Sequence, residues 1–227
     1  MRKTVLFLLA AICAVGFVSC TKSDNRPSQQ ISFVTVHQRA VAGDYYFETD
    51  TRKTIYPSDK SQVASYEATE GQRALIAFGL LDEPVDRYDY NAILYGIVDI
   101  YTSEVRIVGS QEELEELPDA SLLQVDNLQF GGDWLTLGVI YTFADNKKHN
   151  FHLIVNEVEP QSTDSAYLDV ELRHDKGDDT ENAYYQNYIS FNIHAIKPLL
   201  EGKKGINLRF KDDSGQDAYL KIDRDFE

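Results

Sequence analysis

His174, Asp175, Asp178, Asp179 and Glu181 crowd into one short stretch of the chain, and oxygen ligands gathered in this way attract hard cations. The EF-hand spacing fails, because Thr180 stands where the loop glycine belongs if Asp175 is the first ligand. Charge runs on loops are common, so a solvated turn is the expectation. His149 and His152 have a spacing found in metal sites, but residues three apart on a strand point to opposite faces and cannot share one ion. The pair is therefore expected to be structural, and no metal or cofactor is expected. His37 and His194 show no partner in the sequence and are expected at the surface or in a tether.

Nucleophilic catalysis needs an activated hydroxyl or thiol, and beyond Lys22 the chain has neither G-x-S-x-G nor S-x-x-K. Gly202-Lys203-Lys204-Gly205 lacks the P-loop spacing and reads as a hairpin turn. Carboxylates are abundant, but abundance alone predicts no glycosidase pair. No catalytic residue is expected, and the chain is read as a non-enzyme. The aromatic signal is better. Trp134, Tyr167, Tyr188 and Tyr219 have the parity opposite to the apolar strings of their strands, and flat rings exposed on a sheet stack on sugars or peptides. These four are the expected ligand-binding residues; packing between layers is the competing account of outward tyrosines.

The elements that must position them begin after residue 19. In this 227-residue chain, Arg2 and Lys3 precede an apolar run from Val5 to Val18, too short for the ~20 residues that span a bilayer. The run reads as a secretory signal over residues 1–19. Phe17-Val18-Ser19-Cys20 resembles the lipobox of lipoprotein signal peptidase, with Phe17 in place of the usual Leu and Cys20 as the acylated first residue. An ordinary secretory signal with a chance cysteine is the bland alternative. Several acyl chains, at ~0.8 kcal/mol per buried methylene, would hold the protein to a membrane. Cys13 leaves with the signal, so the folded part has no thiol and no disulfide. Residues 20–32, polar and carrying Pro27, are expected to form a tether.

Beyond the tether, alternation with period two recurs and the chain reads as all-β. Asp133–Phe143 places Leu135, Leu137, Val139, Tyr141 and Phe143 on one face. Similar parity marks Leu168/Val170/Leu172, Ile189/Phe191/Ile193, Ile206/Leu208/Phe210 and Ala218/Leu220/Ile222. With Leu122–Phe130 and Asn150–Val158 these make seven strands, enough for an immunoglobulin-like sandwich over residues 119–227. Glycines 131, 132 and 215 mark tight hairpins. Tyr45–Thr49, Arg73–Leu81 and Tyr88–Val108 are also β-type, and Gly79, Gly96 and Gly109 interrupt them as in bent barrel strands. A small barrel is expected over residues 33–118. Gln111–Leu117 is the best helix, and the domain boundary is expected near Pro118.

The strings Thr54-Ile55-Tyr56-Pro57-Ser58, Gly71-Gln72-Arg73, Tyr88-Asp89-Tyr90-Asn91, Gly131-Gly132-Asp133-Trp134-Leu135 and Leu172-Arg173-His174-Asp175, in this order behind a lipobox, resemble the NigD-like lipoproteins of Bacteroides-type bacteria. The resemblance implies an N-terminal OB-like barrel followed by a C-terminal β-sandwich. It also implies association with a bacteriocin operon in which one member was proposed as an immunity protein; no functional residue comes with it. Lys22-Ser23-Asp24 loosely resembles the surface-export signal of such lipoproteins.

The formal charge of −15, or −17 once Arg2 and Lys3 are removed, argues against nucleic acid as a partner. The expected protein is a lipid-anchored binding module of the cell envelope, at the outer membrane, holding a glycan, peptide or envelope protein. An immunity-type lipoprotein that intercepts a toxin is the alternative.

Overall fold

In the computed structural model, residues 27–144, 148–159, 164–180 and 183–223 are described. Cys20, the signal, most of the tether and Glu181 lie outside them. The described chain falls into two compact units, 27–101 and 102–223.

The first unit is a closed five-stranded barrel, β1 Gln30–Gln38, β2 Tyr45–Thr49, β3 Thr54–Asp59, β4 Arg73–Leu81 and β5 Tyr90–Asp99, in the order β1-β2-β3-β5-β4. Alternation puts Val34 and Val36, Tyr45 and Phe47, Ile55, Ile76 and Leu94 inside, where each is almost fully buried. Closure demands strong bending, and the β4–β5 register slips between Ala77 and Phe78. Gly79 has no room for a side chain: a Cβ there would lie 2.7 Å from the Tyr95 hydroxyl, which donates to the Pro27 carbonyl. The guanidinium of Arg73, 0% exposed, is paired at 2.7 Å with Asp50, so this buried charge is compensated. Two of these strands differ from the sequence reading. β1 begins inside the expected tether, at Gln30, and β3 was not anticipated, because its Pro57 and polar ends hide the alternation of Ile55 and Pro57.

The second unit is a two-sheet β-sandwich. One sheet has the order β14-β13-β11-β10-β7 and the other β6-β12-β9-β8, with β6 Tyr101–Glu104, β7 Arg106–Val108, β8 Gln124–Gly131, β9 Trp134–Phe143, β10 Asn150–Asn156, β11 Tyr167–Asp175, β12 Ala183–Asn192, β13 Gly205–Lys211 and β14 Asp217–Asp223. The inward strings Leu135/Leu137/Val139, Phe151/Leu153, Leu168/Val170/Leu172, Ile189/Phe191 and Ile206/Leu208 form its core, as their parity predicts. Helix α1, Gln111–Glu115, is capped by the Ser110 hydroxyl, which accepts from the Glu113 amide. Gly132 and Gly215 turn with φ of +59° and +77°.

The boundary expected near Pro118 falls earlier. β6 and β7 enter the two sandwich sheets, β7 parallel to β10, so the units divide at Tyr101/Thr102. Short strands of three and four residues leave too few alternations to be assigned from the sequence. Residues 202–205 are not a hairpin turn either. A short helix, α2 Lys197–Leu200, precedes them, and β13 pairs with β11 in parallel, which requires a crossover rather than a hairpin. His194 lies in a 3-10 turn that leads into α2.

Candidate functional site

β11 has the burial rhythm of a strand with one wet face: Leu168, Val170, Leu172 and His174 are buried, and Asp169, Glu171 and Arg173 face outward. Parallel pairing sets Asp169 beside Asn207 and Glu171 beside Arg209 on β13, and the next strand sets Tyr219 beside Arg209. With Asn156 at the end of β10, these side chains line an open cleft of about 300 Å³ across the outer face of the five-stranded sheet, at the lower end of the range for small-molecule sites.

The cleft is polar, yet its charges are largely answered from within. Glu171 accepts from Asn156 Nδ2 at 2.7 Å and from Arg173 Nε and Nη2 at 2.9 and 2.7 Å. Arg173 also donates to the Leu117 carbonyl at the end of the α1 segment. Asn207 Nδ2 donates to Asp169 at 2.6 Å. Arg209 bridges Asp119 at 2.5 Å and Asp217 at 2.7 Å; burial works against its charge, but these two carboxylates raise its pKa above the usual arginine value. Asp217 is held below the ordinary carboxylate range, first by Lys211 and then by Arg209. Tyr219 stands on the rim, 60% exposed.

The four aromatics expected to bind ligand do not form one surface. Trp134 and Tyr188 are half-buried on β9 and β12 of the four-stranded sheet, where Trp134 faces Asn192 and Tyr188 faces Gly138. Tyr167 and Tyr219 lie on the five-stranded sheet. The Tyr167 hydroxyl donates to Asp223 at 2.7 Å and its ring lies under Lys221, so one of its faces is occupied. Of the four, Tyr219 alone lines the cleft. Parity places a residue on a face; it does not say which sheet of a sandwich owns that face.

A second aromatic group, on the barrel, escaped the sequence reading. His37 of β1 stacks on Tyr46 of β2 at 5.0 Å, Tyr46 meets Tyr88 at 5.3 Å, and Tyr88 stacks on Tyr56 of β3 at 5.1 Å. Arg39 lies over Tyr56 and Tyr88. These rings give their faces to one another, and the Tyr56 hydroxyl donates to Asp44 at 3.3 Å. His37, which shows no partner in the sequence, bonds Glu70 at 2.8 Å.

The acidic stretch after β11 is not a solvated turn throughout. Asp179 is buried and accepts from His149 Nε2 at 2.7 Å and from the Ala144 amide through both oxygens. His149 in turn contacts His174. His152, on the other face of β10, takes no part, and its pKa is lowered chiefly by burial. The Asp179–His149–His174 chain is interior, with the two imidazoles 5% and 1% exposed, so no substrate reaches it. Among the described residues no group of three His, Cys, Asp or Glu residues is arranged to hold a metal.

Residues 33–100 match the NigD-like N-terminal OB domain, and residues 106–224 match the NigD-like C-terminal β-sandwich domain. The chain belongs to the NigD-like family. No curated protein sequence matches it. Among solved structures, the NigD-like chain is similar to a protein of unknown function from Bacteroides vulgatus, at 17% identity over 88% of this chain and 92% of that one, with a TM-score of 0.72. It is also similar to a candidate lipoprotein from Bacteroides fragilis, at 14% identity over 86% and 98%, TM-score 0.64. A NigD-like immunity protein from Bacteroides caccae matches at 17% identity over 86% and 92%, TM-score 0.62. At these identities the likeness concerns the fold.

Proposed function

We propose that this NigD-like chain is a lipid-anchored, non-catalytic binding protein of the cell envelope, and that the outer cleft of its sandwich is the binding site. The observation that carries the reading is the cleft: a fixed array of amides, carboxylates and guanidinium groups already oriented by one another, with an exposed ring at its rim. Groups held in this way lose little freedom on binding, which favours recognition. They are poorly suited to proton transfer, because each carboxylate named above already accepts from a neighbouring amide or cation. The anchor is supported by the apolar run, the lipobox ending at Cys20 and the candidate lipoprotein among the structural relatives. No helix of the described residues is long and apolar enough to cross a membrane. Replacing Cys20 by Ser should release the protein from membranes or leave its signal uncleaved; a variant that stays processed and membrane-bound would overturn the anchor.

The binding reading is tested by passing envelope extracts over the immobilised mature chain and its Asn207→Ala and Tyr219→Ala variants. A retained species that both variants lose supports the cleft; retention of the same species by all three overturns it. The second reading, an immunity-type lipoprotein, draws on the description of the Bacteroides caccae relative. It predicts that expression protects a sensitive strain from a secreted toxin and that the retained species is that toxin.

A further inference from the structure

The chemistry of the cleft narrows its ligand, and this step rests on the binding reading above. Counting its lining together with the two charged groups paired to it, Glu159, Asp169, Glu171, Asp217 and Asp119 stand against Arg173, Arg209 and Lys211, so the site has a formal surplus of two negative charges. Anionic ligands are repelled, and the two guanidinium groups that would otherwise recruit them are spent on Glu171, Asp119 and Asp217. A bare cation is little better served. Glu171 is already paired with Arg173 and Asp217 with Lys211 and Arg209, and the amide donors of Asn156 and Asn207 beside the carboxylates find no acceptor on an ammonium group.

What the cleft offers is a closely spaced mixture of donors and acceptors with fixed planes. Amide nitrogens of Asn207 and Asn156 donate, and carboxylate oxygens beside them accept. A hydroxyl is the group that donates and accepts at once. Neighbouring hydroxyls on a ring therefore match an adjacent amide and carboxylate without any net charge. Tyr219 adds a flat apolar surface at the edge, suited to the C–H face of a ring whose hydroxyls point to the floor. We infer that the sandwich cleft binds a neutral saccharide, with Asp169–Asn207 and Asn156–Glu171 taking ring hydroxyls and Tyr219 stacking on the sugar. The volume of about 300 Å³ and the open sides fit about one or two sugar units of a longer chain.

The test is titration calorimetry of the mature chain with neutral oligosaccharides of glucose, mannose, galactose and xylose, run beside polygalacturonate and tri-lysine. At least one neutral oligosaccharide should bind, and Asn207→Ala and Tyr219→Ala should each weaken it about ten-fold or more without lowering the melting temperature by more than a few degrees. Polygalacturonate should bind more weakly than its neutral counterpart. Should either variant unfold, Tyr219→Phe, which keeps the ring, must retain binding while Asn207→Asp, which adds a carboxylate beside Asp169, must lose it. Binding of tri-lysine in place of every sugar would overturn the saccharide and leave the cleft as a site. Failure of all neutral oligosaccharides at about 10 mM, or binding unchanged by the variants, would overturn the inference, while the extract experiment decides the binding reading separately.

Discussion

His149 Nδ1 lies 2.7 Å from His174 Nε2 inside the sandwich, and this contact fixes how many protons the buried chain holds. His174 Nδ1 faces the Ser121 carbonyl, which can only accept, so that nitrogen carries a proton. One more proton lies between the two rings and another between His149 Nε2 and Asp179. Two neutral imidazoles carry two protons, so the third makes the group an imidazolium with a carboxylate, or two imidazoles with a carboxylic acid. Either way its net charge is zero, which is what a buried position tolerates. His149→Ala should cost about 3–5 kcal/mol of stability, because Asp179 is then buried without its partner. Asp179→Asn should cost less, about 1–3 kcal/mol, since the amide preserves part of the network. Urea unfolding of both variants checks the order.

Acid should strip a contribution from the barrel at Asp89. The Thr54 amide, then Lys53 and the Thr54 hydroxyl, bond its carboxylate and hold its pKa at about 2, below the ordinary 3.8. A carboxylate with a depressed folded value stabilises the fold at pH above the unfolded value and loses that contribution as pH falls through the folded one. The stability difference between wild type and Asp89→Asn should therefore be full at pH 5 and shrink between about pH 4 and 2. Carboxyl titration by NMR should place the Asp89 midpoint well below that of an exposed aspartate.

Gly205→Ala should destabilise the sandwich strongly. A Cβ at this position would lie 1.9 Å from the Ile222 carbonyl oxygen, a backbone atom that cannot swing aside. A loss of about 3 kcal/mol is expected, from strain between β13 and β14. Gly177→Ala, where nothing lies within 4 Å of the added carbon, should cost less and arise from its φ of +56° alone. Thermal melts of the pair distinguish crowding from backbone strain.

Trp134 and Tyr219 should part company. Trp134→Ala removes a half-buried ring from the four-stranded sheet and should cost about 1–3 kcal/mol while leaving cleft binding intact. Tyr219→Ala should do the reverse. Calorimetry beside circular dichroism melts reads both, and equal loss of binding in the two variants would return Trp134 to the site.

The architecture was legible because long alternating strings such as Leu135/Leu137/Val139 survive as core wherever one face is buried. The site was less so. Asp169, Glu171, Asn207 and Arg209 sit at the outward positions of strands recognised from their apolar partners, yet nothing local announces that β11 and β13 are neighbours and parallel. That pairing joins segments separated by a crossover, and it turns scattered polar residues into a cleft. Asp179 was misplaced for a similar reason: its partner His149 lies on a segment 30 residues earlier.

The early position of β6 and β7 bears on how the protein is made. The barrel closes through β1 and β4, so everything it needs has been delivered by Asp99. The sandwich waits far longer, since β6 neighbours β12 and β7 pairs with β10. A chain emerging from a ribosome or a membrane pore can therefore complete its first unit while Tyr101–Val108 still lacks partners. Such distant pairings are slow to form, and unpaired strands are prone to stick to one another. Until β12 emerges, β6 has no strand of its own sheet to pair with.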